Sequence, residues 1–228
     1  DDLRQIDWRL YGRTDRYYVK EFYEEENERF FLLIDTSASL PIFGTDYYLS
    51  FVASLAYIFL RLHFSINLIT FTDKLQSSCL NLRERRGIPR MLGFLQRLEF
   101  VGLTDLVAVL QTVRECHQPS TLFLFSDLFD RRITLQHLKG FRRVFLAHCF
   151  TSFSSFPLRY GEVEVEDRET GQRLLLPNNP LARRQIQLSE QSFLGRFKEG
   201  RKGYHYLRLE NTMQRVPHYW RILEALYD

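Results

Sequence analysis

The chain has 228 residues, of which 45% are hydrophobic and 15% aromatic, enough for a large packed core and too apolar for disorder. Lysine and arginine total 31 against 28 acidic residues, and a net charge of +3 gives no basis for nucleic-acid binding. Cys79, Cys116 and Cys149 are odd in number and far apart, which argues against a disulfide framework and a zinc site and for a reducing, cytoplasmic compartment.

No signal peptide is visible. The chain opens on Asp1-Asp2, and a longer protein tethered to a membrane through a segment not present here stays open as an expectation. Residues 1–28 read as a β-rich lead-in to a domain of residues 29–228. Within the lead-in, Tyr17–Phe22 is strand-like. The acidic turn Glu24–Glu28 separates it from the apolar run Phe30–Ile34, the pattern of a strand buried on both faces. A helix is expected from about Thr45 to His63. Tyr47–Phe64 is the most apolar stretch, but Ser50, Ser54, Arg61 and His63 interrupt it, so it reads as a core helix and not as a membrane span. No membrane contact is expected from this segment.

Ile66–Phe71 and Leu75–Leu82 read as a hairpin across Thr72-Asp73-Lys74. Ile88–Leu98 and Asp105–Cys116 read as helices, the second with Thr104 as N-cap. Thr121–Phe125 and Val144–Phe150 are further apolar strands, with a short helix over Leu135–Phe141 between them. A β-hairpin insertion is expected near 160–177, turning at Glu169-Thr170-Gly171. A helix over Ile186–Phe197, a strand over Tyr204–Leu209 and a helix over Met213–Tyr227 complete the chain. The fold class is α/β, with a doubly wound, Rossmann-like, mainly parallel sheet covered on both faces.

The chemistry concentrates after the first apolar strand, in Asp35-Thr36-Ser37-Ala38-Ser39. A tight loop with this spacing turns one carboxylate and two hydroxyls toward one point. Hard oxygen donors of that kind suit Mg²⁺ or Mn²⁺. Thr104, in Gly102-Leu103-Thr104-Asp105-Leu106, and Asp127, which ends another apolar strand, supply matching groups. In open parallel sheets ligands bind beyond the strand C-termini where the strand order reverses, so convergence there requires the Asp35 and Asp127 strands to be neighbours.

Asp-x-Ser-x-Ser, a later Thr in a Gly-x-Thr-Asp-Leu context and a later strand-end Asp resemble the adhesion-site signature of von Willebrand factor A domains. The resemblance implies a von Willebrand factor A-like fold in which Ser37, Ser39, Thr104, Asp35 and Asp127 hold the metal, directly or through water. It also implies a protein partner that supplies a Glu or Asp as the remaining ligand. The segment Asp1–Arg9, then Gly12-Arg13-Thr14, Tyr18–Phe22 and the hairpin Val165–Gly171, resembles the bacterial domain-of-unknown-function 58 family. One departure is Leu40 after Ser39, where that family more often has Met. This resemblance implies association with a MoxR-type AAA+ ATPase or its client.

The resulting expectation is a non-enzymatic, metal-dependent protein-binding module. The rival is a Mg²⁺-dependent phosphohydrolase or phosphotransferase using Asp35. Haloacid-dehalogenase-like enzymes need a second Asp two residues after the nucleophile, and Ser37 stands there. No G-x-S-x-G elbow supports a serine hydrolase. A scaffold that has lost its metal is the third reading. Asp7, Trp8 and Arg9 read as packing and local charge. The arginine clusters Arg83, Arg85, Arg86 and Arg90, Arg131-Arg132 and Arg142-Arg143 read as solvated surface, Cys149 as a buried apolar residue, and all six histidines as structural.

Overall fold

The computed structural model describes residues 29–116, 121–130, 132–156, 158–197, 203–210 and 216–227. The expected strand at Tyr17–Phe22, and the residues Asp7, Trp8 and Arg9, lie outside them. In chain order the elements are β1 (Arg29–Asp35), α1 (Thr45–Arg61), β2 (Ser65–Phe71), β3 (Leu75–Leu82), α2 (Gly87–Leu95), α3 (Leu106–Cys116), β4 (Thr121–Ser126) and β5 (Arg143–Cys149). There follow β6 (Gly161–Glu166), β7 (Arg173–Asn178), α4 (Pro180–Gly195), β8 (Tyr204–Leu209) and α5 (Val216–Tyr227).

Among the described residues six strands form one sheet in the order β3-β2-β1-β4-β5-β8. All neighbours run parallel except β3, which pairs antiparallel with β2 at the edge. The two halves wind outward from the junction of β1 and β4, the strand order of doubly wound dinucleotide-binding sheets. The expected α/β class, with a doubly wound, mainly parallel sheet, is therefore observed. β6 and β7 form a separate antiparallel hairpin, also as expected.

Strand periodicity explains why the apolar runs are continuous. Phe30, Leu32 and Ile34 of β1 enter the core on one face, with Phe51, Leu55 and Phe59 of α1 and Met91 and Leu95 of α2. Phe31 and Leu33 enter the opposite core, with Leu106, Val109, Leu110 and Val113 of α3. A strand covered on both faces has no polar side to show. Aromatic contacts lock the first core: Phe123 stacks on Phe145 at 4.4 Å, and Phe30 meets Phe59 edge-on at 4.8 Å. Helix α1 is thus a core helix, and among the described residues no helix is long and apolar enough to cross a membrane.

Several elements differ from expectation, most by a residue or two at an end. Helix α4 starts at Pro180, ahead of the expected Ile186, because Asn179 caps it by accepting from the Ala182 amide at 2.8 Å and Pro180 suits the first turn. Helix α2 stops at Leu95 instead of Leu98. The expected helix at Leu135–Phe141 is a short 3-10 turn, Leu135–Leu138. Residues 211–215, where the last helix was expected to begin, lie outside the described residues.

Gly203 feeds β8 with φ +80, and a Cβ there would lie 2.7 Å from the Arg142 carbonyl oxygen. Gly203→Ala is expected to destabilise the domain by about 2 kcal/mol or more, read as a lowered midpoint of urea unfolding.

Candidate metal centre

β1 and β4 are neighbours in register, with Ile34 opposite Phe125, so Asp35 and Asp127 emerge side by side where the strand order reverses. Asp35 is fully buried and its oxygens are both engaged: Oδ1 accepts from the Ser37 amide at 2.9 Å and Oδ2 from Ser126 Oγ at 2.6 Å. Beneath them the Tyr48 hydroxyl, itself 1% exposed, donates to the Asp35 carbonyl at 2.9 Å and lies 3.2 Å from that of Phe125. Helix α1 thereby fixes the spacing of the two strand ends. Just after Asp127, Leu128 takes a left-handed backbone at φ 59, a conformation that costs roughly 1–2 kcal/mol for a residue of this kind. Bonds from the Leu128 amide to Ser126 Oγ (3.0 Å) and from the Phe129 amide to Asp127 Oδ1 (3.1 Å) hold the turn.

The remaining donors arrive on two loops. The Ala38 amide bonds to the Gly102 carbonyl at 3.1 Å and the Val101 amide to that of Thr36 at 2.9 Å, which zips the Ser37–Ser39 loop to the Thr104 loop. Thr104 is not the cap of α3, contrary to expectation. Asp105 is, accepting from the Ala108 amide at 3.0 Å, and this leaves the Thr104 hydroxyl free to face the crevice. Arg132 is not merely solvated either. It forms a two-pronged pair with Asp130 at 3.1 and 3.0 Å and reaches Asp105 at 2.9 Å, and Asp130 in turn accepts from the Leu106 amide at 3.2 Å. These bonds pin the start of α3 next to the crevice. Arg83, Arg85, Arg86 and Arg90 are exposed as expected.

The five expected residues come to one place. Ser37 Oγ lies 3.1 Å from Ser39 Oγ, and Ser39 Oγ donates to Asp127 Oδ2 at 2.6 Å. Thr104 joins through a residue that the sequence reading placed only in a turn, Glu169, whose Oε1 is 3.0 Å from Ser39 Oγ and 3.2 Å from Thr104 Oγ1. Neighbouring oxygens of an octahedral shell with metal–oxygen distances of about 2.1 Å stand about 3.0 Å apart, so this spacing fits Mg²⁺ or Mn²⁺.

The protons point the same way. Ser39 Oγ lies within 3.1 Å of oxygens on Ser37, Asp127 and Glu169 but has one proton to give. One carboxylate contact is left without a proton unless a carboxyl takes one up or a cation sits among them. Burial, and next the Asp127 charge, push Asp35 up to about 7. Burial also raises Asp127, with Glu169 adding to it, against the opposing bonds from Ser39 and the Phe129 amide. Among the described residues, no group of three or more His, Cys, Asp or Glu is arranged to hold a metal ion. The donor set here differs in being rich in hydroxyls.

Two buried neighbours were not anticipated at the site. His148 pairs in register with Ser126, and its Nδ1 lies 2.8 Å from the Tyr206 hydroxyl. Burial drives it down to about 3, so it is a neutral structural residue, as expected for the histidines. Cys149 is buried, also as expected.

Because the folded-state value of Asp35 lies above its unfolded one, the native state holds the extra proton between about pH 4 and 7. That stability is present below pH 4 and lost as pH rises through 7. His148 works in the opposite direction over part of this range, so the comparison must be differential. In EDTA, Asp35→Asn is expected to gain stability over wild type as pH rises from 5 to 7.5, by a few kcal/mol at most, measured by urea unfolding at each pH.

The sequence model of the family described as "Protein of unknown function DUF58" matches residues 1–192. No curated protein matches the chain significantly. Among solved structures, the chain is similar to the conserved hypothetical protein BatB from Bacteroides thetaiotaomicron, at 10% identity and TM-score 0.52, over 88% of this chain and 99% of that one. It is also similar to an aerotolerance-related membrane protein from Bacteroides fragilis NCTC 9343, at 12% identity and TM-score 0.52, over 87% and 98%. The SpRpn10 VWA domain is matched at 11% identity and TM-score 0.47, over 86% and 94%. At such low identity the two Bacteroides structures speak for the fold alone. The family match spans most of the length, and on that ground the chain belongs to the protein family of unknown function DUF58.

Proposed function

We propose that this domain is a non-enzymatic, metal-dependent protein-binding module with a metal-ion-dependent adhesion site. Asp35, Ser37, Ser39, Thr104 and Asp127 would hold Mg²⁺ or Mn²⁺. The observation that carries the reading is the meeting of Ser37, Ser39 and Asp127 within hydrogen-bond distance at the β1–β4 junction. Bound there, the ion supplies an electrophilic position that attracts a carboxylate from a protein partner. The chain's own groups set up that position. Asp35 contributes negative charge from beneath, with its orientation fixed by Ser126 and the Ser37 amide. Ser37, Ser39 and Thr104 contribute neutral oxygens, which leave more of the cation's charge for an incoming acid than carboxylates in their place would.

Asp35 is poorly placed for the rival phosphotransfer chemistry. It is fully buried and both its oxygens accept hydrogen bonds, so neither is presented to a substrate. The position two residues on is Ser37, with no second carboxyl for acid–base work. By family resemblance, the partner is a MoxR-type AAA+ ATPase or its client.

Calorimetric titration of Mg²⁺ or Mn²⁺ is expected to show saturable binding by wild type and loss of it in Asp35→Ala and Ser37→Ala. At a hundredfold excess over Kd the metal is expected to stabilise wild type by about 2.7 kcal/mol and leave Asp35→Ala unmoved. Capture of a MoxR-type ATPase is expected to need both metal and Asp35. Binding that ignores both would overturn the reading, and phosphatase turnover lost in Asp35→Ala would establish its rival.

A further inference from the structure

The turn of the β6–β7 hairpin lies far along the chain from Ser39 and Thr104, yet it reaches both. Glu169 Oε1 stands 3.0 Å from Ser39 Oγ and 3.2 Å from Thr104 Oγ1, while Oε2 accepts from the Thr104 amide at 3.2 Å. These separations repeat the 3.1 Å between Ser37 Oγ and Ser39 Oγ. Glu169 therefore extends the hydroxyl cluster with an acidic oxygen on the same spacing.

The turn is built to present that side chain. Asp167 Oδ1 accepts from the Glu169 amide at 2.9 Å and Oδ2 from the Thr170 hydroxyl at 2.6 Å, while the Asp167 amide bonds to the Gln172 carbonyl at 2.8 Å. Gly171, at φ 70, completes the tight turn. At the other end, Arg183 of α4 bonds Asn178 Oδ1 at 2.8 Å and the Leu158 carbonyl at 2.6 Å, which ties down the foot of the hairpin. Between foot and tip the strands are largely exposed, so apolar packing does not force the tip onto the crevice. The tip also approaches a site that already holds Asp35 and Asp127. Glu169 and Asp127 both reach the one Ser39 hydroxyl, and a third carboxylate there is repelled unless a proton or a cation lies among them.

We propose that Glu169 is an internal acidic ligand of the metal centre, filling the position that a partner's acid would otherwise take. The inference rests on the metal-site reading above. An external acid must displace a tethered one, whose effective concentration is of order millimolar. A single acidic side chain in a flexible peptide competes poorly against that. A partner that also grips the hairpin and draws it away competes well, so the hairpin selects among acidic partners.

The test uses the full chain with Mn²⁺ as the probe, its affinity read by electron paramagnetic resonance and its bound waters by proton relaxation. Glu169→Ala is expected to weaken Mn²⁺ binding by about tenfold or more and to add one inner-sphere water. Acetate is expected to restore the affinity of Glu169→Ala at an ionic strength where chloride does not, and to leave wild type unchanged. Equal affinity and equal hydration in wild type and Glu169→Ala, with binding still lost in Asp35→Ala, would overturn the internal ligand and leave the metal site standing. Failure of wild type to bind Mn²⁺ would overturn both.

Discussion

Parallel pairing of β1 with β4 forces two carboxylates to the same edge of the sheet. Everything around the crevice is a response to that constraint. A carboxylate removed from water carries an effective penalty of several kcal/mol, while a hydrogen bond to a charged group returns roughly 1.5–3 kcal/mol. Ser126, the Ser37 amide, Ser39 and the Phe129 amide each contribute on that smaller scale. They orient Asp35 and Asp127 without removing the reason for the charges to seek a proton or a cation. The hydroxyls of Ser37, Ser39 and Thr104 complete a surface on which a hard cation would meet oxygen donors.

The packing serves the same end. Tyr48 is a core residue by volume and a strut by its hydroxyl, which spans the carbonyls at the ends of β1 and β4. The Asp130–Arg132–Asp105 cluster fixes where α3 begins and so where Thr104 lies. With the floor and this wall fixed by those bonds, the hairpin forms, among the described residues, a side of the crevice built without a core of its own.

Much of this was legible in the sequence because burial leaves a strong trace. Phe30–Ile34 and Thr121–Phe125 are covered on both faces and therefore read as unbroken apolar runs ending in an acid. What depended on side-chain reach was not legible. Thr104 and Asp105 are both competent N-caps and adjacent, and only the bond to the Ala108 amide assigns the role to Asp105. Helix α4 is mostly exposed, so its apolar periodicity is weak and its start lies in the Asn179-Pro180 cap. Glu169 sits in an acidic turn that reads as solvated surface, and its contact with Ser39 spans 130 residues of sequence. The acid-rich turn was the available signal, but nothing local said where it would point.

The exposed strands of the hairpin carry a consequence of their own. A lone two-stranded hairpin is marginally stable in water, so this one borrows its order from its two ends. With the foot clamped by Arg183, releasing the tip would cost the turn its external support and lower the free energy of local opening. Displacement at the crevice would then travel outward as melting of the ribbon, with its amides exchanging faster, instead of as the swing of a rigid arm. The same residues that form the turn would thereby convert an exchange of one oxygen ligand into a change of order some distance from it.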